Sequence, residues 1–308
     1  MSFAPHAASL RQLQYAVAVA DARSFRRAAE QCGVSQPSLS AQLAQLEDAL
    51  GVRLFERDRR RVLLTPAGED LIDRARRVLV DADDLVDAAR RLGDPLAGML
   101  AIGVIPTVSP YLLPVAAPAI RRAHPRLTVR WLEEKTENLA RELHAGRLDA
   151  ALLALEADLG GPLQREVIGR DPFMLATPRA HPLAKRARPA SLGELRGAHL
   201  LLLDDGHCLR DQALAVCSGA RTEELAYRAT SLPTLAQMVS AGAGVTLLPR
   251  MAVATESRRA HLAVRPLADE RAFRTLALVW RPTSPAGPAL RALARTIRAS
   301  YETMEPRR

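Results

Sequence analysis

The chain has 308 residues, enough for two or three compact domains; 48% are hydrophobic but only 4% aromatic, so the cores must be built chiefly from Leu, Val and Ala. A formal net charge of +9 favours a polyanionic partner. No apolar run is long enough for a membrane span, the N-terminus lacks the order of a signal peptide, and three cysteines do not make a secreted disulfide framework; the expected compartment is the cytoplasm, where a disulfide is transient.

Residues 1–8 read as a loose tail. Over 10–21, Leu10, Leu13, Val17 and Ala20 share one face of a helix. A second helix starts at the N-cap residue Ser24 and runs to Cys32, taken as a core residue with no redox role. Gly33-Val34-Ser35 is a tight turn, and a third helix opens at Gln36-Pro37 with Leu39, Leu43, Leu46 and Leu50 on its buried stripe. Two short helices about a glycine turn predict a helix-turn-helix. The free face of the third helix carries Gln36, Ser38, Ser40, Gln42 and Gln45, side chains suited to base edges and phosphates, although an ordinary solvated face has the same composition. The next stretch, 51–65, tips the balance. It sets Arg53, Arg57, Arg59, Arg60 and Arg61 between two apolar, strand-like ends, a basic wing for a phosphate backbone.

Ala28-Ala29, Ser35-Gln36-Pro37-Ser38-Leu39-Ser40, Leu46-Glu47, Leu54-Phe55-Glu56-Arg57 and Leu64-Thr65-Pro66-Ala67-Gly68 together resemble the DNA-binding domain of the LysR-type bacterial transcription regulators. That resemblance implies a winged helix-turn-helix over 1–65, all-α apart from its wing, whose partner is a double-stranded DNA operator. A long helix then spans 66–92. Leu71, Ala75, Val78, Ala82, Leu85, Ala89 and Leu92 form a heptad seam, with Ile72, Leu79 and Val86 beside it. A helix packed only on its own domain fits as well; a two-half-site reader favours a dimer, and the family's habit is a homotetramer. Residues 93–98, Gly-Asp-Pro-Leu-Ala-Gly, break the helix as a hinge.

From 99 onward strands alternate with helices: strands over 100–105, 127–132 and 150–155, helices over 111–123 and 138–145, then strands over 173–176, 200–203, 226–229 and 245–248, helices near Cys208 and over 232–241, a strand over 276–280 and a helix over 288–301. Alternation predicts parallel α/β sheets. The family resemblance adds the topology: a two-lobe effector domain similar to periplasmic binding proteins, with the first lobe from 99–168 and the returning 266–308 and the second from 169–265.

Cys208 and Cys217 lie nine positions apart in Asp204-Asp205-Gly206-His207-Cys208-Leu209-Arg210-Asp211-Gln212 and its continuation. His207, Arg210 and a helix start at Cys208 are expected to lower the thiol pKa. If 208–217 is helical, the two thiols stand about 13.5 Å apart along the axis and on opposite faces, whereas a disulfide needs Cα atoms within roughly 7 Å. Bonding then requires unwinding, the behaviour of a switch. Two inert buried thiols are the plainer reading of spacing alone. The string Gly-His-Cys-Leu-Arg-Asp-Gln with a second cysteine nine positions on resembles the redox centre of the OxyR branch of the family, the hydrogen-peroxide sensors.

That resemblance implies Cys208 as peroxidatic thiol, Cys217 as resolving thiol, and Thr107, Thr136, His207 and Arg274 as supports of a peroxide site. Ser109 and Ser231 are read as N-caps. Hydrogen peroxide, cellular thiol reductants and RNA polymerase are the implied partners; no cofactor or metal is expected. Two alternatives remain: a regulator of the same family that takes a small organic effector between its lobes, and a basic thiol peroxidase, against which the helix-turn-helix argues.

Overall fold

The structure is a computed structural model that describes residues 8–57, 62–91, 96–186, 188–218 and 222–304. They group into two compact units, one from the chain up to residue 90 with 144–147, the other from the remainder.

The first unit is built on serine caps. Helix α1 (Leu10–Ala22) opens with Ser9 and Gln12 in a reciprocal capping box and stops where Arg23 turns left-handed at φ 48°. Helices α2 (Phe25–Gln31) and α3 (Gln36–Leu50) start on Ser24 and Ser35, whose hydroxyls accept the Arg27 and Ser38 amides, and Gly33 makes the turn between them at φ +65°. Leu39, Leu43 and Leu46 of α3 are fully buried with Ala16, Val19, Ala28 and Ala29. Strands β1 (Phe55–Arg57) and β2 (Val62–Leu64) pair antiparallel, Phe55 opposite Leu64, so the helices carry a two-stranded wing.

The wing root hangs on one carboxylate. Glu47, 2% exposed, accepts the Leu54 amide at 2.8 Å, the Phe55 amide at 3.3 Å and Arg53 Nη1 at 3.0 Å. Glu47→Ala would strand two buried N–H groups. It is expected to cost the unit about 2–4 kcal/mol, read as a lower denaturant midpoint with an unchanged slope; an unchanged midpoint would mean that the wing root is held by packing alone.

Thr65 caps helix α4 (Pro66–Arg91), accepting the Gly68 amide at 2.9 Å and donating to the Arg53 carbonyl at 2.7 Å. A Cβ on Gly68 would come 2.1 Å from the Leu54 carbonyl oxygen, so only glycine fits there. Ile72 and Ala75 are buried, whereas Val78, Val86 and Leu85, the last 73% exposed, leave the later part of the seam uncovered within one chain. The side chain of Ala89, and Leu92 with residues 93–95 of the hinge, lie outside the described residues.

The second unit begins β-α-β-α-β with strand β3 (Gly98–Val104), helix α5 (Ser109–Ala123), strand β4 (Leu127–Glu133), helix α6 (Thr136–His144) and strand β5 (Ala150–Ala154). β3 pairs parallel with both β4 and β5, and β5 is buried throughout. Strand β6 (Gln164–Pro178) follows. Next come strand β7 (His199–Leu203), helix α7 (Cys208–Cys217), strand β8 (Glu223–Ala229), helix α8 (Leu232–Ser240), strand β9 (Thr246–Pro249), helix α9 (Arg250–Arg259), strand β10 (Leu262–Pro266), strand β11 (Phe273–Trp280) and helix α10 (Gly287–Met304).

The expectation of parallel sheets holds only in part. β7 and β8 pair parallel, but β6 pairs antiparallel with β11, β9 and β10, and β11 antiparallel with β5. The physical reason is that β6 runs through both lobes: as far as Pro172 it lies along β11, and from Phe173 it lies along β9 and then β10 as well. β6 carries the chain out of the first lobe and β11 brings it back, so these neighbouring strands run in opposite directions and pair antiparallel. The first half of β6 escaped the sequence reading because most of its residues are polar and partly exposed; α9 escaped because its polar, Arg-containing sequence hid the apolar periodicity, and β10 because Leu-Ala-Val-Arg-Pro is too short to show a period. Among the described residues no helix is long and apolar enough to cross a membrane.

Candidate functional site

Where β6 changes partners, Asp171 stands directly across from Arg274 of β11, and both are completely buried. Arg274 donates from Nε and Nη2 to Asp171 Oδ2 at 3.1 and 3.0 Å, from Nη1 to Thr107 Oγ1 at 2.7 Å and from Nη2 to the Thr107 carbonyl at 3.0 Å. Its Nη2 also reaches Met251 Sδ at 3.4 Å, while Asp171 Oδ1 accepts the Met251 amide at 3.1 Å. Thr107 lies between β3 and α5, the carboxyl end of a parallel strand, where α/β sheets collect ligands. Because its oxygen accepts from Arg274, the Thr107 hydroxyl proton is left to donate elsewhere.

Cys208 is the first residue of α7 and is 8% exposed. Burial pushes its thiol pKa up; the Thr136 hydroxyl and the charge of Arg274 pull the other way, and Glu156 and Asp211 add to the rise. Thr136 opens α6, is 4% exposed, and its Oγ1 makes no hydrogen bond other than its interaction with Cys208, so its proton is free for that sulfur. A thiolate at Cys208 would accept it more strongly. The fold thus joins Thr107 to Arg274 by a hydrogen bond and puts the Thr136 hydroxyl and the Arg274 charge to work on Cys208, from positions scattered along the chain.

The two cations expected to activate the thiol do not do so. His207 is 5% exposed, and burial, then the charge of Lys135, lowers its pKa; Asp204 and the Thr230 backbone raise it less. A neutral ring results, with Nε2 unpartnered. Arg210 turns away to Asp205 at 3.2 Å and Glu224 at 2.7 Å, where its charge is compensated. The predicted helix start at Cys208 holds. Cys217, the last residue of α7, is 2% exposed, and burial raises its pKa to about 11. Cys32, Cys208 and Cys217 are all free thiols.

A cleft of about 880 Å³ opens onto Cys208, lined also by Thr136, Glu156, Phe173, Gly206, Asp211, Gln212 and Phe273. Glu156 accepts the Thr275 amide at 2.7 Å and Gln212 Nε2 at 3.4 Å, which ties β11 and α7 to one carboxylate. Sequence reading missed Asp171, Met251 and Glu156. Asp171 pairs with an arginine 103 residues away, and nothing local in Gly-Arg-Asp-Pro-Phe signals it.

In the first unit Gln36, Ser38 and Gln45 of α3 are exposed, and Ser40 and Gln42 half-buried. Arg53 is two-thirds exposed and ion-paired to Glu47. Nothing is described of the Arg57 side chain, and Arg59, Arg60 and Arg61 lie outside the described residues. Ser231 caps α8 through the Thr234 amide as expected, whereas Ser109 is the first residue of α5 and Val108 stands at its N-cap.

Two family models match most of the chain. Residues 10–69 match the bacterial regulatory helix-turn-helix protein, lysR family, and residues 93–302 match the LysR substrate binding domain. The hydrogen peroxide-inducible genes activator of Pectobacterium carotovorum subsp. carotovorum is 46% identical over 295 residues, 94% of this chain and 96% of the relative. The DNA-binding transcriptional dual regulator OxyR of Escherichia coli K12 is 45% identical over 299 residues, 96% of each chain. Among solved structures, a full-length OxyR cysteine variant from Pseudomonas aeruginosa superposes with TM-score 0.77 at 35% identity, covering 96% of both chains. A Corynebacterium glutamicum OxyR mutant with H2O2 bound superposes with TM-score 0.66 at 34% identity, covering 96% of this chain and 93% of that one. On matches that run from the first helix almost to the last, the chain belongs to the LysR family of bacterial helix-turn-helix regulators.

Proposed function

We propose that this chain is a transcription regulator that senses hydrogen peroxide through reversible formation of a Cys208–Cys217 disulfide and conveys the change to operator DNA. The observation that carries the reading is the placing of two free thiols at the two ends of one helix, the first buried against the Thr136 hydroxyl and within the field of Arg274. The names of the relatives, which are peroxide-inducible activators, point the same way.

The chemistry follows from the site. Burial keeps most of the Cys208 thiol protonated, so the reactive thiolate is a minor form that Thr136 and Arg274 stabilise. The thiolate attacks one peroxide oxygen, the O–O bond breaks, and the departing hydroxide takes a proton to leave as water; sulfur is oxidised to a sulfenic acid. The Thr107 proton and the Arg274 guanidinium are the donors for the oxygen on which charge develops. Cys217 sulfur then attacks Cys208 sulfur, expels a second water and closes the disulfide. Inside α7 the Cys217 thiol is held protonated by burial. Unwinding exposes it, returns its pKa toward the ordinary range and makes it a nucleophile.

Around this switch we propose the working parts: a reader over 1–65 in which Gln36, Ser38, Ser40 and Gln42 face the major groove and Arg53, Arg57, Arg59, Arg60 and Arg61 contact phosphates; a dimerising helix over 66–92; a hinge over 93–98; and the lobes 99–168 with 266–308, and 169–265. The exposed part of the α4 seam supports a dimer; pairing of dimers into a tetramer is the family's habit. Cellular thiols would reset the switch in the cytoplasm, RNA polymerase would read it, and the chain acts as a regulator, not an enzyme.

The cleft onto Cys208 supports a second reading, a small organic effector bound there with inert cysteines. Thiol counting with peptide mapping separates the two. Stoichiometric peroxide is expected to remove Cys208 and Cys217 together, leave Cys32 free, and change the footprint on the protein's own upstream DNA. Three intact thiols and an unaltered footprint would favour the effector.

A further inference from the structure

We propose that Lys135 is a positioning residue for the redox step: it latches the turn 204–206 to the loop after β4 and so sets how readily Cys208 leaves its reduced position for Cys217. The proposal rests on the redox reading of those two thiols. Lys135 Nζ donates to the Asp205 carbonyl at 2.7 Å and to Asp204 Oδ2 at 3.3 Å. Its stem lies on Gly206, where a Cβ would come 3.2 Å from Lys135 Cδ, and Gly206 holds φ +83°, a conformation other residues rarely adopt. The Asp205 amide and Lys135 both keep the Asp204 carboxyl below its ordinary range, so the acceptor stays charged.

Two adjacencies give the latch its purpose. Lys135 precedes Thr136, whose hydroxyl serves Cys208; the latched turn precedes His207 and Cys208. One short segment of the β4–α6 connection therefore holds both the thiol's donor and the strand-end turn that carries the thiol. Closing the disulfide must bring together two ends of a helix about 13.5 Å long, and a clamped turn resists that movement. Lys135 touches neither sulfur. Its hydrogen bonds go to Asp204 and Asp205, and its charge acts on Asp204 and His207. The latch should therefore govern the closing step and not the sulfenic acid step.

The test uses the full-length protein with Lys135→Met and Lys135→Arg. Sulfenic acid formation is measured with a dimedone-type trap in a Cys217→Ser background, and disulfide closure in chains that keep Cys217. For Lys135→Met the expected result is a sulfenylation rate within about twofold of the parent and closure about fivefold faster, the weight of one partly exposed charged hydrogen bond. Lys135→Arg, which keeps the donor and the charge, should close at nearly the parent rate. Added salt should move the parent toward Lys135→Met and leave that variant unmoved. Unchanged or slower closure in Lys135→Met, equal acceleration by Arg and Met, or a parallel change in sulfenylation would overturn the latch. If the parent itself forms no disulfide with peroxide, the redox reading falls, and the latch with it.

Discussion

A Cys208→Ser chain is expected to give no sulfenic acid, no disulfide and the same DNA footprint with and without peroxide. Serine nearly keeps the size of the side chain at the start of α7, and its hydroxyl can accept from Thr136 Oγ1 in place of the sulfur, so stability should change by less than about 1 kcal/mol. What is lost is the nucleophile: a serine hydroxyl does not attack peroxide at neutral pH, so the response should be undetectable, not merely slower. Cys217→Ser should instead accumulate a trappable sulfenic acid, and Cys32→Ser should respond like the parent.

The pH profile has a defined sign. Burial raises the Cys208 pKa, so over the neutral range the thiolate is the minor form and its fraction grows about tenfold per pH unit. The sulfenylation rate should climb accordingly, and Thr136→Val, which removes a group favouring the thiolate, should lower the whole curve. A peroxide-dependent footprint in Cys208→Ser would end the redox account; a rate that is flat from neutral to mildly alkaline pH would end the claim that the resting thiol is protonated.

Arg274→Leu should be the most damaging change outside the cysteines. Asp171 and Arg274 are both completely buried, and the guanidinium also holds the Thr107 hydroxyl and carbonyl. Removing one partner leaves a buried carboxylate uncompensated, at a cost of about 3–5 kcal/mol, visible as a fall in the denaturant midpoint. The site loses a donor for the developing charge at the same time, so sulfenylation should drop about 100-fold. Lys cannot substitute, because a point charge does not reproduce the planar fork that reaches Asp171 and Thr107 together. The double variant Asp171→Asn with Arg274→Leu separates the two roles. It should recover much of the stability by removing the stranded charge and none of the rate. Recovery of both would mean that Arg274 serves only the packing of the crossing strand.

Local signals carried every helix but α9 and most strand positions. Serine caps before α2 and α3, glycine at the turn, and apolar residues at helical spacing act within a few residues of where they stand, so the reader and the long helix were legible without any tertiary contact. The cysteine pair and its helix were legible for the same reason: start, end and spacing all lie within ten consecutive residues. The thiol's surroundings were not. His207 and Arg210 stand next to Cys208 in sequence and do not activate it, because one is buried neutral and the other is spent on Asp205 and Glu224.

Thr136 and Arg274 act on that thiol from 72 residues before it and 66 after, and Asp171, which holds Arg274, carried no local mark. Burial and charge compensation depend on which strands become neighbours. Here that depended on β6 changing partners at Pro172 and Phe173, a crossing that no short window of the chain encodes.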